Sequence, residues 1–372
     1  MKINKLICIL IILVLVLSLS IMVFACDKED SVDEPTTDTD DYVTAEELKT
    51  YGFEVKPSTT TTAIISDYTG KLTKFSISGR VMIDSKTYDI TEMEAGLFKD
   101  DTRLKEISLP EKLTYIPDEL FSGCTNLEEV TIPSSIESIG NNAFKNCSSY
   151  KLISIPKTVK KIGRQAFYGC TSLEFAAFPE KMDEIGSYAF YSCNKLWYIS
   201  IPQGITKIDE STFAGCSNLT AITIPSSVTE ICAYAFDSDT SLIAVTIPST
   251  VVKIGARAFY NCSLENFSFE KRTDDIDIAV EAFMYCKFET VELPDSMTYI
   301  KPKVFYGCLK LSNLIIPTSL TDYSFDAFQE CTALKDMTYK GTLDQWSQVS
   351  SHGNVVYPSG CKIHCTDGDT TI

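Results

Sequence analysis

Eleven phenylalanines fall on a nearly constant ruler: Phe98, Phe121, Phe144, Phe167, Phe190, Phe213, Phe236, Phe259, Phe283, Phe305 and Phe328. Seven successive steps are 23 residues, and the last three are 24, 22 and 23. A fixed period in this range restricts the chain to a stack of similar coils, because a unit this short cannot bury an apolar face by itself. One copy, Ile208 to Pro225, gives the frame I-x-x-x-x-F-x-x-C-x-x-L-x-x-I-x-I-P. Ile222-Thr223-Ile224 alternates with period two and reads as a short strand with Thr223 outward. Pro225 has no amide hydrogen to give a ladder and ends the strand. The Phe-x-x-Cys-x-x-Leu spacing fits a tight helical turn. Stacking therefore predicts one continuous core, with short strands in a parallel ladder at about 4.8 Å spacing.

The motif Ile-Gly-x-x-Ala-Phe-x-x-Cys, clear at Ile139 to Cys147, Ile162 to Cys170, Ile185 to Cys193 and Ile254 to Cys262, resembles the BspA-like, or Treponema-type, leucine-rich repeat. The resemblance covers about residues 90–340. It implies a curved leucine-rich-repeat solenoid of about eleven coils on a cell surface, often with an adhesin or host-interaction role. Several copies depart from the frame. Asp101 and Asp239 replace Cys, and Glu270 and Lys340 replace Pro. Met93 and Tyr323 replace the leading Ile, as end repeats often do. The copy after Phe259 is one residue short between Cys262 and Leu264 and is followed by a charged stretch, Glu270 to Asp277, which predicts a local irregularity in the stack.

The flanks divide the rest of the chain. Met1 to Lys5 is basic, Leu6 to Ala25 is apolar apart from Ser18 and Ser20, and Ala25 precedes Cys26. A small residue before a Cys after an apolar run resembles a bacterial lipoprotein cleavage box, with residues 1–25 as signal peptide and Cys26 acylated. The alternative is an uncleaved signal anchor, since the run is long enough to span a bilayer. Residues 27–41 hold eight acids, one Lys and one apolar side chain, a composition that stays extended as a spacer. Thr44 with Glu46 and Glu47 predicts a helix start. Alternating segments between residues 62 and 90 predict strands of an N-terminal cap spanning 42–89. In residues 341–372, read as a C-terminal cap, Thr342 to Trp346 predicts a helix that lays Trp346 on the last coil, and Lys362 to Cys365 a final strand.

Nine of the 14 Cys occupy one repeat position, from Cys124 to Cys331. Equivalent side chains in stacked coils point the same way, whereas a disulfide needs converging bonds and a closer approach, so the reading is a ladder of buried free thiols. Cys232 stands where its repeat calls for Gly, and nothing in the sequence accounts for it. Cys361, His364 and Cys365, with His352, invite a metal reading, but strand alternation sets His364 opposite the two Cys, so no metal is assigned. The chain lacks a Gly-rich phosphate loop, a Gly-x-Ser-x-Gly elbow and a His-Glu-x-x-His motif, so neither a cofactor nor an enzyme is expected. The outward acids Glu106, Glu129, Glu292 and Asp336 read as too dispersed for a catalytic pair of the glycosidase kind. A net charge of −17 argues against nucleic acid.

Most outward strand positions carry small polar residues. Three consecutive coils instead place Leu152, Phe175 and Tyr198 in one column, with Trp197 beside them. An exposed apolar ridge with aromatic anchors is the candidate partner site; the competing reading is that these side chains cover one another and stiffen the sheet. The function expected from tether, spacer and solenoid is an adhesin-like, membrane-tethered extracellular binding protein that contacts a protein or glycan on a host or neighbouring cell. Alternatives are a structural or assembly protein of the cell envelope, and a carbohydrate-active enzyme.

Overall fold

The computed structural model describes residues 42–352 and 361–371, with only the backbone described for 350–352. The signal segment, Cys26, the acidic spacer and the His352 side chain lie outside the described residues.

Each coil carries two short strands rather than one. The first follows the expected Leu-x-x-Ile-x-Ile run: Leu152–Ser154 pairs with Phe175–Ala177, and Tyr198–Ser200 with Ala221–Thr223, all parallel and in register one coil apart. Ile222 and Ile224 point inward and Thr223 outward, as the alternation requires. The second strand is the two-residue piece ending in the leading Ile of the frame. Ser138–Ile139 pairs with Lys161–Ile162, and Glu230–Ile231 with Lys253–Ile254. The isoleucines of these pieces are buried, which leaves the preceding residue outside.

The outward residues of these two-residue strands alternate in sign over six coils, Lys161, Glu184, Lys207, Glu230, Lys253 and Asp277, with the strand pairing broken between Glu184 and Lys207. Glu230 bridges Lys207 at 3.0 Å and Lys253 at 2.7 Å. Lys161 reaches Glu184 at 3.5 Å. Where Gly follows the leading Ile, the coils approach more closely than a side chain would allow. A Cβ on Gly255 would stand 2.4 Å from the Ala233 amide nitrogen.

The Phe-x-x-Cys-x-x-Leu piece forms two successive i→i+3 turns in place of a helix. The Cys216 amide donates to the Phe213 carbonyl at 3.2 Å and the Leu219 amide to the Cys216 carbonyl at 2.8 Å. The residue before the Cys takes the left-handed conformation. Several coils put Gly there, as at Gly123 and Gly215, and others use Asn146, Ser192 or Asn261. The phenylalanine rings then stack along the axis at centroid distances from 5.0 Å (Phe144 on Phe167) to 5.9 Å (Phe305 on Phe328). All eleven are buried.

The first ladder runs one strand further at each end than the repeat predicts. Lys74–Ser76 pairs in parallel with Glu106–Ser108, and Lys362–Cys365 with Asp336–Tyr339. Both take up strand edges that the terminal copies would leave open. The stretch Lys362–Cys365 is not the last strand either, since it folds back on Gly368–Thr371 as an antiparallel hairpin. At the N-terminal side a five-stranded mixed sheet is built from strands between Val43 and Met93. Phe53 and Tyr68 set their rings against Phe98 at 6.1 and 5.1 Å. The helix Ala45–Thr50 starts at Thr44 with a reciprocal Thr44–Glu47 capping box. A second box, Thr342 with Gln345, opens the helix Leu343–Ser347, which lays Trp346 on Tyr323 and Tyr339.

Hydrogen bonding along the first ladder is interrupted twice. One interruption separates Asn266–Phe269 from Thr290–Glu292, at the irregularity expected from the shortened copy and its charged insertion. There the insertion is tied down by Arg272. Its buried guanidinium donates to the carbonyls of Val251 (2.6 Å), Asp274 (2.7 Å) and Asp275 (3.1 Å). The other interruption separates Glu129–Thr131 from Leu152–Ser154 and coincides with Tyr150, which fills a Leu slot with a larger ring stacked on Phe144.

Candidate functional site

The sheet register carries Leu152, Phe175 and Tyr198 onto neighbouring strands as direct partners, Leu152 with Phe175 and Phe175 with Tyr198. Leu152 is 50% exposed, while Phe175, Trp197 and Tyr198 are half-buried. Trp197 precedes its strand, yet its ring turns onto the column. It stacks on Phe175 at 6.3 Å with 28° between planes and meets Tyr198 at 5.8 Å. The three rings thus share contact while keeping outer edges in solvent, and Leu152 stands free beside them. Ser154 and Ser200 flank the column on one side and the exposed Lys151 and Glu174 on the other. The strip is apolar and its rim is polar.

A second aromatic surface has no counterpart in the sequence reading. Tyr168 stacks on Tyr191 at 4.9 Å and 7°, with Lys145 over the Tyr168 ring at 5.2 Å and Arg164 over Tyr188 at 5.7 Å. Further along, Tyr285 meets Tyr260 and Tyr306 edge-on, and Arg257 covers Tyr260 at 5.0 Å. The signal was present: Tyr follows the spine Phe at 168, 191, 260 and 306. It lies in the turn, where a strand-based reading does not look.

The outward acids are less scattered than their sequence positions imply. Glu106 and Glu129 are register partners on adjacent strands, because they come from consecutive copies at the same frame position. Glu106 is held by Lys74 at 2.7 Å and Glu292 by Lys340 at 2.8 Å. Asp336 is engaged by His364.

His364 lies between two carboxylates, Nε2 at 2.9 Å from Asp336 and Nδ1 at 3.0 Å from Asp369. These acids favour the imidazolium and raise the His364 pKa above its ordinary value. Cys361 is buried on the opposite side and Cys365 is half-buried. Among the described residues no group of three or more His, Cys, Asp or Glu side chains is arranged to hold a metal ion.

The nine spine cysteines are free, and they do more than fill slots. Each thiol donates to the carbonyl of the Phe one coil earlier. Cys124 reaches Phe98 at 2.9 Å, Cys170 reaches Phe144 at 3.0 Å, Cys262 reaches Phe236 at 3.1 Å and Cys331 reaches Phe305 at 3.0 Å. That carbonyl already accepts the amide three residues on in its own coil, so the thiol satisfies its second lone pair. Burial pushes the Cys124 and Cys170 thiols up to about 12, which makes them poor nucleophiles. Cys232, outside the ladder, lines an open groove with Asp209, Glu230, Lys253 and Gly255; burial raises it to about 11. A thiol reagent added to the folded protein is therefore expected to label Cys232 and Cys365 first among the described cysteines. The spine thiols should react only after unfolding. Peptide mapping in which a spine cysteine is labelled as fast as Cys232 would contradict the ladder.

Comparison with known proteins agrees with this geometry. A family profile described as the BspA type leucine rich repeat region (6 copies) matches residues 72–151, 91–220, 148–265 and 252–351. No curated protein matches the sequence. Among solved structures, a leucine-rich repeat protein from Bacteroides ovatus ATCC 8483 is similar with a TM-score of 0.55 and 22% identity, over 81% of this chain and 97% of that one. The T. pallidum leucine rich repeat protein gives a TM-score of 0.47 and 27% identity over 52% of this chain and 88% of that one. The pneumococcal vaccine antigen PcpA gives 0.49 and 18% over 78% and 80%. With the matched stretches running without a gap from residue 72 to 351, and with coils of the period, strand placement and thiol position that the motif requires, the chain belongs to the BspA-type leucine-rich repeat family.

Proposed function

We propose that the protein is an adhesin-like binding protein displayed outside the cell, tethered by acylated Cys26 and held off the membrane by the acidic stretch 27–41. The sheets at 42–89 and 341–372 close the two ends of the stack. The solenoid acts as a binding scaffold without catalytic chemistry, and its partner is a protein or glycan on a host or neighbouring cell surface. One observation carries the reading. Leu152, Phe175, Trp197 and Tyr198 form an unbroken apolar strip on a sheet face where most other outward positions are small or polar and Ile243 and Ile315 stand singly. Family membership supports a binding role in general and leaves the partner to experiment.

Cells displaying the full-length chain are compared with cells displaying the triple variant L152S/F175S/Y198S. These side chains are outside the core, so each substitution should cost about 1 kcal/mol or less, and the variant should fold. Adherence to the target surface should fall at least tenfold. Unchanged adherence by the folded variant would remove the strip from the mechanism. Protease added to intact cells checks display: loss of the repeats fits outward presentation, and full protection would favour an assembly role within the envelope.

A further inference from the structure

The thiol ladder has a single gap. From Phe98 to Phe305, every spine Phe carbonyl except one accepts a thiol from the following coil. The exception is Phe213, whose donor would come from position 239, and that residue is Asp. Asp239 is fully buried, and neither of its carboxyl oxygens has a hydrogen-bond partner. The other substituted position is handled differently. Asp101 binds the Arg103 amide and guanidinium at 2.9 and 3.0 Å. Asp239 has no such cation.

The groups that face Asp239 are Asp237 on its own coil, the Cys216 turn on the coil before, with the backbone amides of Gly215 and Cys216, and the Cys262 thiol on the coil after. The amides favour the charged form. Burial outweighs them, and Asp237 adds like charge, so the Asp239 pKa stands well above the usual carboxylate range.

We propose that Asp239 is a proton-operated catch in the spine. As the neutral acid it supplies the one O–H that replaces the missing thiol and closes the Phe213 carbonyl. As the carboxylate it has no donor role and carries a charge between two coils that the Gly215 and Cys216 amides ease only in part and no cation balances. Asp and Cys are then the two residue types that this slot accepts, and Asp makes the closure depend on pH.

The dependence has a definite sign. In the unfolded chain the side chain ionises near its ordinary value of about 3.9. In the folded chain it keeps its proton to much higher pH. The folded state therefore binds more protons between those two values, and stability is greatest below the lower one and falls as pH rises through the window. One such group changes the folding equilibrium constant by about tenfold per pH unit. Asp209 and Asp237 are half-buried and shift in the same direction, so the contribution of Asp239 is read by difference.

The test compares chemical denaturation of the full-length wild type, Asp239→Cys and Asp239→Asn from pH 5 to 8. Asp239→Cys restores the ladder and Asp239→Asn keeps the shape with a neutral donor. Relative to either variant, wild type should lose about tenfold in folding equilibrium per pH unit. Infrared spectra should show a protonated carboxyl stretch at neutral pH that is absent from both variants. Parallel pH profiles for all three proteins, or no protonated carboxyl signal attributable to residue 239, would overturn the proposal.

Discussion

Phe236→Ala is expected to destabilise the solenoid by about 3–5 kcal/mol, the cost of deleting a fully buried aromatic ring and leaving its cavity. The Phe236 ring is stacked between Phe213 at 5.6 Å and Phe259 at 5.1 Å, and both neighbours are themselves held by rings on their far sides. The surroundings therefore have little freedom to collapse into the space. Phe328→Ala should cost less. Phe328 closes the series, is 4% exposed, and has Phe305 on one side with Tyr323 tilted against it on the other. Urea denaturation of the full-length variants measures both. Equal losses at the two sites would mean that the rings act as independent fillers and not as a stack.

The second large effect is expected at Arg272. Arg272→Met keeps the apolar stem and removes the guanidinium, leaving the carbonyls of Val251, Asp274 and Asp275 without their donor. Hydrogen bonds to a charged group contribute about 1.5–3 kcal/mol, and part of the loss is recovered as water reaches the opened loop. A net cost of about 2–3 kcal/mol follows. The damage should be local. Amide exchange in 270–277 should accelerate by at least tenfold, while strands near Leu152 stay protected. A variant with wild-type exchange in that loop would show that its fold comes from the flanking coils alone. Because the insertion interrupts the first ladder, this loop is also where the stack has fewest alternative bonds to fall back on.

Much of this architecture is legible in the chain because repetition multiplies weak signals. A single Phe-x-x-Cys means little, but nine in-register copies on a spine of eleven phenylalanines fix the core positions, the turn and the inward face of the first strand. The capping boxes at Thr44 and Thr342 are local and equally readable. The second ladder escapes the same reading for a physical reason: a strand of two residues has no alternation to detect, and its leading Ile looks the same whether it begins a turn or ends a strand. The added strands at Lys74 and Lys362 are readable as strands, but their partners are not, since pairing depends on which edge the neighbouring coil leaves open.

The candidate site divides along similar lines. The column of Leu152, Phe175 and Tyr198 follows from frame position alone. The direction of Trp197, one residue before its strand, is decided by ring contact with Phe175. The tyrosine surface with Lys145, Arg164 and Arg257 is set by how turns stack, which no period within one coil describes. Arg272 is the extreme case, an arginine in a charged loop that reads as solvent-facing until the fold supplies three carbonyls around it.

The sign alternation from Lys161 to Asp277 makes neighbouring coils unlike one another in a way their apolar spine does not. Excising one winding from that stretch would set Lys beside Lys or acid beside acid, while excising two adjacent windings would leave every cation facing an anion. Each such contact is individually small, yet the windings are otherwise so alike that small differences decide between them. Within this stretch the molecule therefore counts in twos: its ancestry would gain and shed windings as couples, and a misfolded chain that skips a single winding would be marked by repulsion along its flank.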